Sequence, residues 1–434
     1  MRILILNEYF YPDVASTAQH CSDLARALVR EGHEVTVLTG RHSYEAGGRL
    51  LPRRETWEGV RILRVSSLKM GKTARWERGA HFASFLAACS WRLLWLRSYD
   101  SVIAMTTPPL FSLLGALFTR IKGGRLFVWM MDLNPDEAVA AGWLKAGGLP
   151  HRFMESLLRY SLKHSGKIVV LDQFMEERIV AKGVEAGTVM VLPPWSHDGE
   201  VKYDPQGRNE FRQRNGLEGK FVVMYSGNHS PCHPLDTLLE AADRIHRGGT
   251  GGTPIVFCFV GGGSETSKVK EFVRAYNLPN VVCLPYQPVE KLAASLSAAD
   301  LHVVVMGDPF VGIVHPCKIY NILRIGVPFL YIGPSQSHIT DILPPGGSGG
   351  WAHVFPHGSA ESVAACIQQC AQAGRRQFEE EMLLAQKFSS DRLVPRMIAS
   401  LEMTAESGQR KTKRSACVPE LQPSGRGSSE GPSR

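Results

Sequence analysis

No stretch of this 434-residue chain is apolar for the roughly 20 residues needed to cross a bilayer. The opening Met1-Arg2-Ile3-Leu4-Ile5-Leu6 runs at once into polar Asn7-Glu8, too short an apolar region for a secretory signal, so a cytoplasmic location is expected. The nine cysteines include no Cys-x-x-Cys and no Cys/His set at zinc spacing, and they read as small apolar core residues. Cys366 and Cys370 stand one helical turn apart, but the sequence does not show the two further ligands a metal would need. No Gly-x-Gly-x-x-Gly follows the first apolar run, which argues against a dinucleotide-dependent oxidoreductase. Most of the chain also lacks excess charge. Of the formal +8, residues 68–97 hold +5 from six basic and one acidic residue, and residues 405–434 hold +3 from six basic and three acidic. A basic tail and a basic segment interleaved with apolar residues are not a nucleic-acid footprint, so no nucleic-acid partner is expected.

What is present is a repeated alternation of short apolar runs with helical periodicity. Ile3–Leu6 reads as a buried parallel strand, Leu24 and Leu28 keep helical spacing up to Gly32, and Val35–Leu38 is the next strand. Further strands are expected at 60–65, 101–105, 126–130 and 168–171. A second series follows, at 221–225, 255–260, 281–284, 301–305 and 329–332, with helices between. This is the pattern of two Rossmann-like, doubly wound parallel-sheet α/β domains facing each other across a cleft. The expected division is a first domain at 1–197, a linker at 198–219 rich in Gly, Asp, Arg and Asn, and a second domain at 220–386. Beyond about 405 the chain has almost no apolar content, so a disordered basic tail is expected at 405–434.

Ligands of such sheets bind outside the carboxyl ends of the strands. Gly312–Pro328 sets His315 and Lys318 beside a strand end and then opens a helix, a natural seat for a phosphate or diphosphate. The run Ser226-Gly227-Asn228-His229, reaching His233, follows another strand end, as do Gly261-Gly262-Gly263 and Pro285-Tyr286-Gln287. In the first half, Asp132-Leu133-Asn134-Pro135-Asp136-Glu137 follows an apolar run. Its carboxylates suit an acceptor hydroxyl, to orient it or take its proton, and equally suit helix capping. Residues 79–97 carry Phe82, Phe85, Leu86, Cys89, Leu93 and Leu96 at helical spacing among arginines and tryptophans. Such a helix packs on a sheet or lies in a membrane interface, and residues 69–97 are therefore a candidate membrane-contact segment.

Several of these strings resemble the family 4 (group 1) glycosyltransferases: the opening Met1–Asn7, Leu28–Val35, Ser226-Gly227-Asn228, Asp236–Ala241 and the Gly312–Pro328 stretch, in order over roughly residues 1–400. Pro316-Cys317-Lys318-Ile319-Tyr320-Asn321 is similar to the subgroup reading Pro-Ser-Lys-Ile-Tyr-Asn, found in exopolysaccharide, colanic-acid and O-antigen assembly. The resemblance implies the GT-B architecture, with a last helix at 387–404 crossing back onto the first domain. It also implies retaining transfer of a hexosyl or N-acetylhexosaminyl group from a nucleoside diphosphate sugar, without cofactor or metal. The acceptor it implies is a glycan or a polyprenyl-linked lipid at the inner face of the plasma membrane.

Carried onto this chain, donor contacts are expected from Gly227, Asn228, His229, His233, Gly261, Gly262, Tyr286, His315, Lys318 and Asn321. The catalytic candidates are Asp132 and Glu137, with Glu8 a further acidic candidate. The chain departs from the family pattern in two ways. Histidines stand at 229 and 233 where relatives have Arg and Lys, and Ile313 and Asn321 stand at the two family glutamate positions. A nucleotide-sugar epimerase of the same architecture needs carboxylates at the sugar ring, which those positions lack. A nucleotide-sugar-binding subunit without catalysis is the rival from another class.

Overall fold

The computed structural model describes residues 1–13, 15–43, 50–68, 75–196, 201–249, 252–344 and 349–416. The first domain is built from β1 (Arg2–Leu6), β2 (Glu34–Gly40), β3 (Arg54–Trp57), β4 (Val60–Val65), β5 (Ser101–Met105), β6 (Arg125–Trp129), β7 (Lys167–Val170) and β8 (Val189–Val191). Its helices are α1 (Ser16–Arg30), α2 (Arg75–Leu94), α3 (Phe111–Lys122), α4 (Asp136–Ala140), α5 (Leu149–Lys163) and α6 (Gln173–Ala181). The second domain holds β9 (Phe221–Asn228), β10 (Ile255–Gly262), β11 (Val281–Leu284), β12 (Leu301–Val305), β13 (Phe329–Ile332) and β14 (Ala352–Phe355). Around them lie α7 (Pro205–Arg214), α8 (Asp236–Gly248), α9 (Thr266–Ala275), α10 (Leu292–Ser297), α11 (Lys318–Ile325), α12 (His338–Asp341), α13 (Ala360–Ala373) and α14 (Glu379–Ala385). The long α15 (Ser390–Ala416) follows.

The sheet orders are β3-β4-β2-β1-β5-β6-β7-β8 and β11-β10-β9-β12-β13-β14. Among the described residues every strand pairing within the two sheets is parallel except β3 with β4, an antiparallel pair at the first sheet's edge. The central strands are mostly apolar and buried on both faces, as parallel strands under helices must be. Order reverses beside β1 in one sheet and beside β9 in the other, so the loops after these strands open at switch points and face one another.

Two expectations about organisation change. The expected linker at 198–219 holds a helix within its described part, 201–219, since α7 occupies 205–214. The Asp204 carboxylate caps it by accepting from Gly207 N at 2.9 Å, and Arg208 and Arg212 pair with buried Asp300 at 2.6 and 3.1 Å. The abundance of Gly, Asp, Arg and Asn suggested a linker, but one polar face of this helix is consumed by Asp300. The tail does not become irregular at 405 either, since α15 continues to Ala416; the remainder of that expectation, 417–434, lies outside the described residues. Leu393, Val394, Met397, Ile398 and Leu401 of α15 join the core of the first domain, so the chain returns to the domain where it began.

Candidate active site

The two domains touch across the cleft through backbone as well as side chains. Asp132 forms an antiparallel bridge with Val314, and Leu133 N donates to Ile313 O at 2.9 Å. Gly312 makes this approach possible: its φ is 68°, and a Cβ there would stand 2.5 Å from Phe174 O. The segment preceding α11 is thereby pinned against the first domain's acidic loop.

Lys318 opens α11, and Gly326, left-handed at φ 71°, closes it. The ammonium is buried, makes no hydrogen bond among the described residues, and lies 3.8 Å from the centroid of the Tyr225 ring. Burial lowers its pKa to about 7, with Cys317 opposing weakly. Gly227, at φ 143°, lets the ammonium come close to β9, since a Cβ there would sit 2.9 Å from Nζ. Lys318 lines a cavity of about 150 Å³ together with Gly227, Tyr286, Gln287, Asn321 and Gln19 of the first domain. Cation–π contact offsets part of the desolvation, but an anion in that cavity would supply what the ammonium lacks.

The two histidines behave differently from each other. His229 is buried, with Nδ1 3.1 Å from the Thr266 hydroxyl and Nε2 without a hydrogen-bond partner. If the hydroxyl donates to Nδ1, the neutral ring keeps an Nε2–H free to donate to a phosphate oxygen. His233 donates from Nδ1 to Val305 O at 2.8 Å, which makes Nε2 of the neutral ring an acceptor. Burial and then the charge of Lys318 lower the pKa of both, to about 4 for His229 and about 3 for His233. Neither is a cation at neutral pH in the open site, so charge balance there falls to Lys318.

The other expected donor contacts lie along the carboxyl ends of β9 and β10. Gly227 pairs with Gly261 and Asn228 with Gly262. The Gly262 carbonyl accepts from His229 N at 2.8 Å and from the Tyr286 hydroxyl at 2.9 Å. His315 does not face the cavity. It is buried, with Nδ1–H donating to Asp172 Oδ2 and Nε2 within hydrogen-bonding distance of the Tyr320 hydroxyl, each at 2.7 Å, and it stacks on His338 at 3.7 Å between centroids. It belongs to an interdomain cluster with Asp172, Tyr320 and His338. Asp172 also caps α6 by accepting from Met175 N at 2.8 Å. Burial would raise its pKa, but the bond and charge of His315, aided by His338, outweigh that and hold it low.

Asp132 and Glu137 come together on the first domain's side of the contact with Val314, and neither lines that cavity. Thr106 Oγ1 accepts from the backbone N–H of Met131 and of Asp132, both at 3.1 Å, and Asn134 donates to Glu137 Oε2 at 2.8 Å. Burial and then the neighbouring Glu137 raise Asp132 to about 8, and burial raises Glu137 as well. The pair therefore retains a proton at neutral pH. Neither carboxylate caps α4, whose N-cap Pro135 receives no side-chain bond. Glu8 accepts from His81 Nε2 at 3.1 Å. Sequence reasoning missed Tyr225, Gln19, Asp172 and His338, which carry no local motif and gain meaning only by tertiary contact.

Two family models match the chain: the glycosyl transferase 4-like domain over residues 17–195 and the glycosyl transferases group 1 over residues 207–327. The chain belongs to the group 1 glycosyltransferases. It is 25% identical over 339 residues to WcaI of Escherichia coli K12, a protein assigned to colanic acid biosynthesis as a glycosyl transferase. The match covers 75% of this chain and 82% of that one. Among solved structures, the transferase is similar to sucrose-phosphate synthase of Thermosynechococcus elongatus, with TM-score 0.70 and 16% identity over 96% of this chain and 100% of the other. It is also similar to HepE of Anabaena in complex with UDP and glucose, with TM-score 0.67 and 15% identity over 93% and 100%. These likenesses establish the two-domain GT-B fold.

Proposed function

We propose that this transferase moves a sugar from a nucleoside diphosphate sugar to an acceptor hydroxyl, with retention of configuration, in the assembly of a cell-surface polysaccharide. One observation carries the reading: a buried ammonium without a hydrogen-bond partner, at a helix start, facing a cavity between the domains. The donor diphosphate would lie over Lys318 and the Nε2–H of His229, with the base toward Tyr286 and Gln287 and hydroxyls near Asn321. A dianion there would raise the pKa of Lys318 and fix its charge, which compensates the growing charge of the leaving diphosphate without a metal ion. Asp132, with Glu137 beside it, would hold the acceptor hydroxyl and receive its proton. The polysaccharide context is supported by the likeness to WcaI, and a nucleotide-bound cleft by the likeness to HepE, whose structure contains UDP.

A lipid-linked acceptor is favoured by the surface of the first domain. Phe85, Cys89, Leu93 and Leu96 face the core, while Trp91, Leu94 and Trp95 are 65%, 57% and 70% exposed. On α3, which α2 touches, Ile121 is 70% exposed, with Arg120 and Lys122 flanking it. Among the described residues no helix is long and apolar enough to cross a membrane. We place the enzyme peripherally, with this surface in the headgroup layer and the cleft within reach of a polyprenyl diphosphate acceptor.

The test is a screen of UDP-, GDP-, CDP- and ADP-sugars by thermal shift with and without EDTA, followed by transfer assays on polyprenyl-linked and free glycan acceptors. Stabilisation by one nucleotide class, unchanged by EDTA and followed by transfer with the anomer retained, is expected. Sugar loss without any acceptor would favour the epimerase or hydrolase reading. Donor binding with no turnover on any acceptor would favour a binding subunit.

A further inference from the structure

His353, Cys366 and Cys370 gather at the outer edge of the second sheet, away from the cleft. His353 lies on the terminal strand β14, three strands from β9, and none of the three lines the cavity above Lys318. Cys366 and Cys370 are one turn apart on α13, with Cys366 buried in the core and Cys370 and His353 half-buried. Nε2 of His353 stands 3.6 Å from Sγ of Cys370, and the three candidate ligand atoms all lie within 4.8 Å of one another.

Those separations match one particular chemistry. A tetrahedral zinc ion, with metal–sulfur bonds of about 2.3 Å and metal–nitrogen bonds of about 2.0–2.1 Å, holds sulfur and nitrogen roughly 3.6 Å apart and two sulfurs roughly 3.8 Å apart. Two thiolates and a neutral imidazole also balance a divalent cation, and their softness selects against magnesium and calcium. The partly open side at Cys370 and His353 leaves a place for water as fourth ligand.

We propose that His353, Cys366 and Cys370 bind a thiophilic divalent cation, zinc in the first instance, which ties the edge strand β14 to α13. Two Cys S–H bonds ionise as two metal–sulfur bonds form, so two protons are released per ion and nothing is oxidised. The site is structural and separate from sugar transfer. It would secure one of the two strands of the second sheet that have a neighbour on one side only.

The full chain, reduced and freed of metal by dialysis against a chelator, is titrated with cobalt(II) and then with zinc. One cobalt per chain is expected, with the visible d–d bands of a tetrahedral site and sulfur-to-cobalt charge-transfer absorption, both erased by zinc. Cys366→Ser and Cys370→Ser should each weaken zinc by at least about 100-fold, and His353→Ala somewhat less. Cys283→Ser, at an exposed cysteine outside the cluster, should leave binding unchanged. Cobalt without sulfur absorption in the wild-type chain, zinc uptake unchanged in Cys370→Ser, or a Cys366–Cys370 disulfide in place of metal would each overturn the proposal.

Discussion

Lys318 is held at a cost to the empty fold, and that cost can be measured. A lysine whose folded pKa is lowered from 10.5 to about 7 binds fewer protons than the unfolded chain between those values, so its contribution to stability rises with pH and is most adverse below pH 7. Lys318→Met should therefore stabilise the ligand-free protein at pH 6.5, by about 1 kcal/mol or more in chemical unfolding, while donor affinity falls at least tenfold. The same residue pairs with Asp132 to set a pH profile. If productive enzyme needs a charged Lys318 with pKa about 7 and an ionised Asp132 with pKa about 8, kcat/KM peaks between them. At that peak only roughly a twentieth of the free enzyme is correctly protonated. Asp132→Asn should abolish the rise on the acid side and lower kcat by about 100-fold or more, with donor binding retained; a wild-type rate in that variant would leave Asp132 a structural residue. At this scale the sequence singled out Lys318, Asp132 and Glu137, because each stands at or just before a helix start beyond an apolar run. It did not reveal that His233 uses its donor nitrogen on Val305, since hydrogen-bond direction is a tertiary fact.

Among the elements, the central strands were legible and so was the edge strand β11, but the edge strands β3, β8 and β14 were not. Ile3–Leu6 is an unbroken apolar run and Leu301–Val305 is broken only by His302, whereas Arg54-Glu55-Thr56-Trp57 and Ala352-His353-Val354-Phe355 lie at sheet edges, where one side is free to be polar. The helix at 205–214 was obscured for a related reason: its buried groups are Phe211 and Arg212, and the guanidinium is buried only because Asp300 meets it. For α2 the stripe Phe85, Cys89, Leu93 identified the inward face, so Trp91 is on the outward one, and Trp95 is exposed just past the helix end. Trp91→Ser with Trp95→Ser should leave melting temperature and activity on a soluble acceptor unchanged. The double variant should bind vesicles containing anionic lipid at least tenfold more weakly in flotation. Equal flotation of variant and wild type would assign that surface to something other than lipid.

For the whole molecule, the contacts that set one domain against the other come from residues far apart in sequence. Asp172 and His315 are separated by 143 positions, and no periodicity links them. Their cluster also holds His338, whose pKa burial and then His315 drive well below 6.5. The unfolded chain takes up a proton at His338 below pH 6.5 that the folded cluster refuses, so stability contributed there falls as the solution is acidified. Asp172→Asn should loosen the domains, seen as a larger radius of gyration in small-angle scattering and faster amide exchange in residues 312–320. Within each isolated sheet exchange should be unchanged; an unaltered scattering curve would show that the backbone bridge at Val314 suffices.

The return of α15 to the first domain has a mechanical consequence. The chain passes between the domains twice, and the passages run side by side: Ser196 pairs with Ser389 and donates from its backbone N to Phe388 O at 2.9 Å. A single connection would act as a swivel, allowing the second domain to spin as well as tilt. Two adjacent strands act as a door hung on paired pins, so opening reduces to swinging about one axis, and the ammonium and the carboxylates return to the same register each time the cleft shuts.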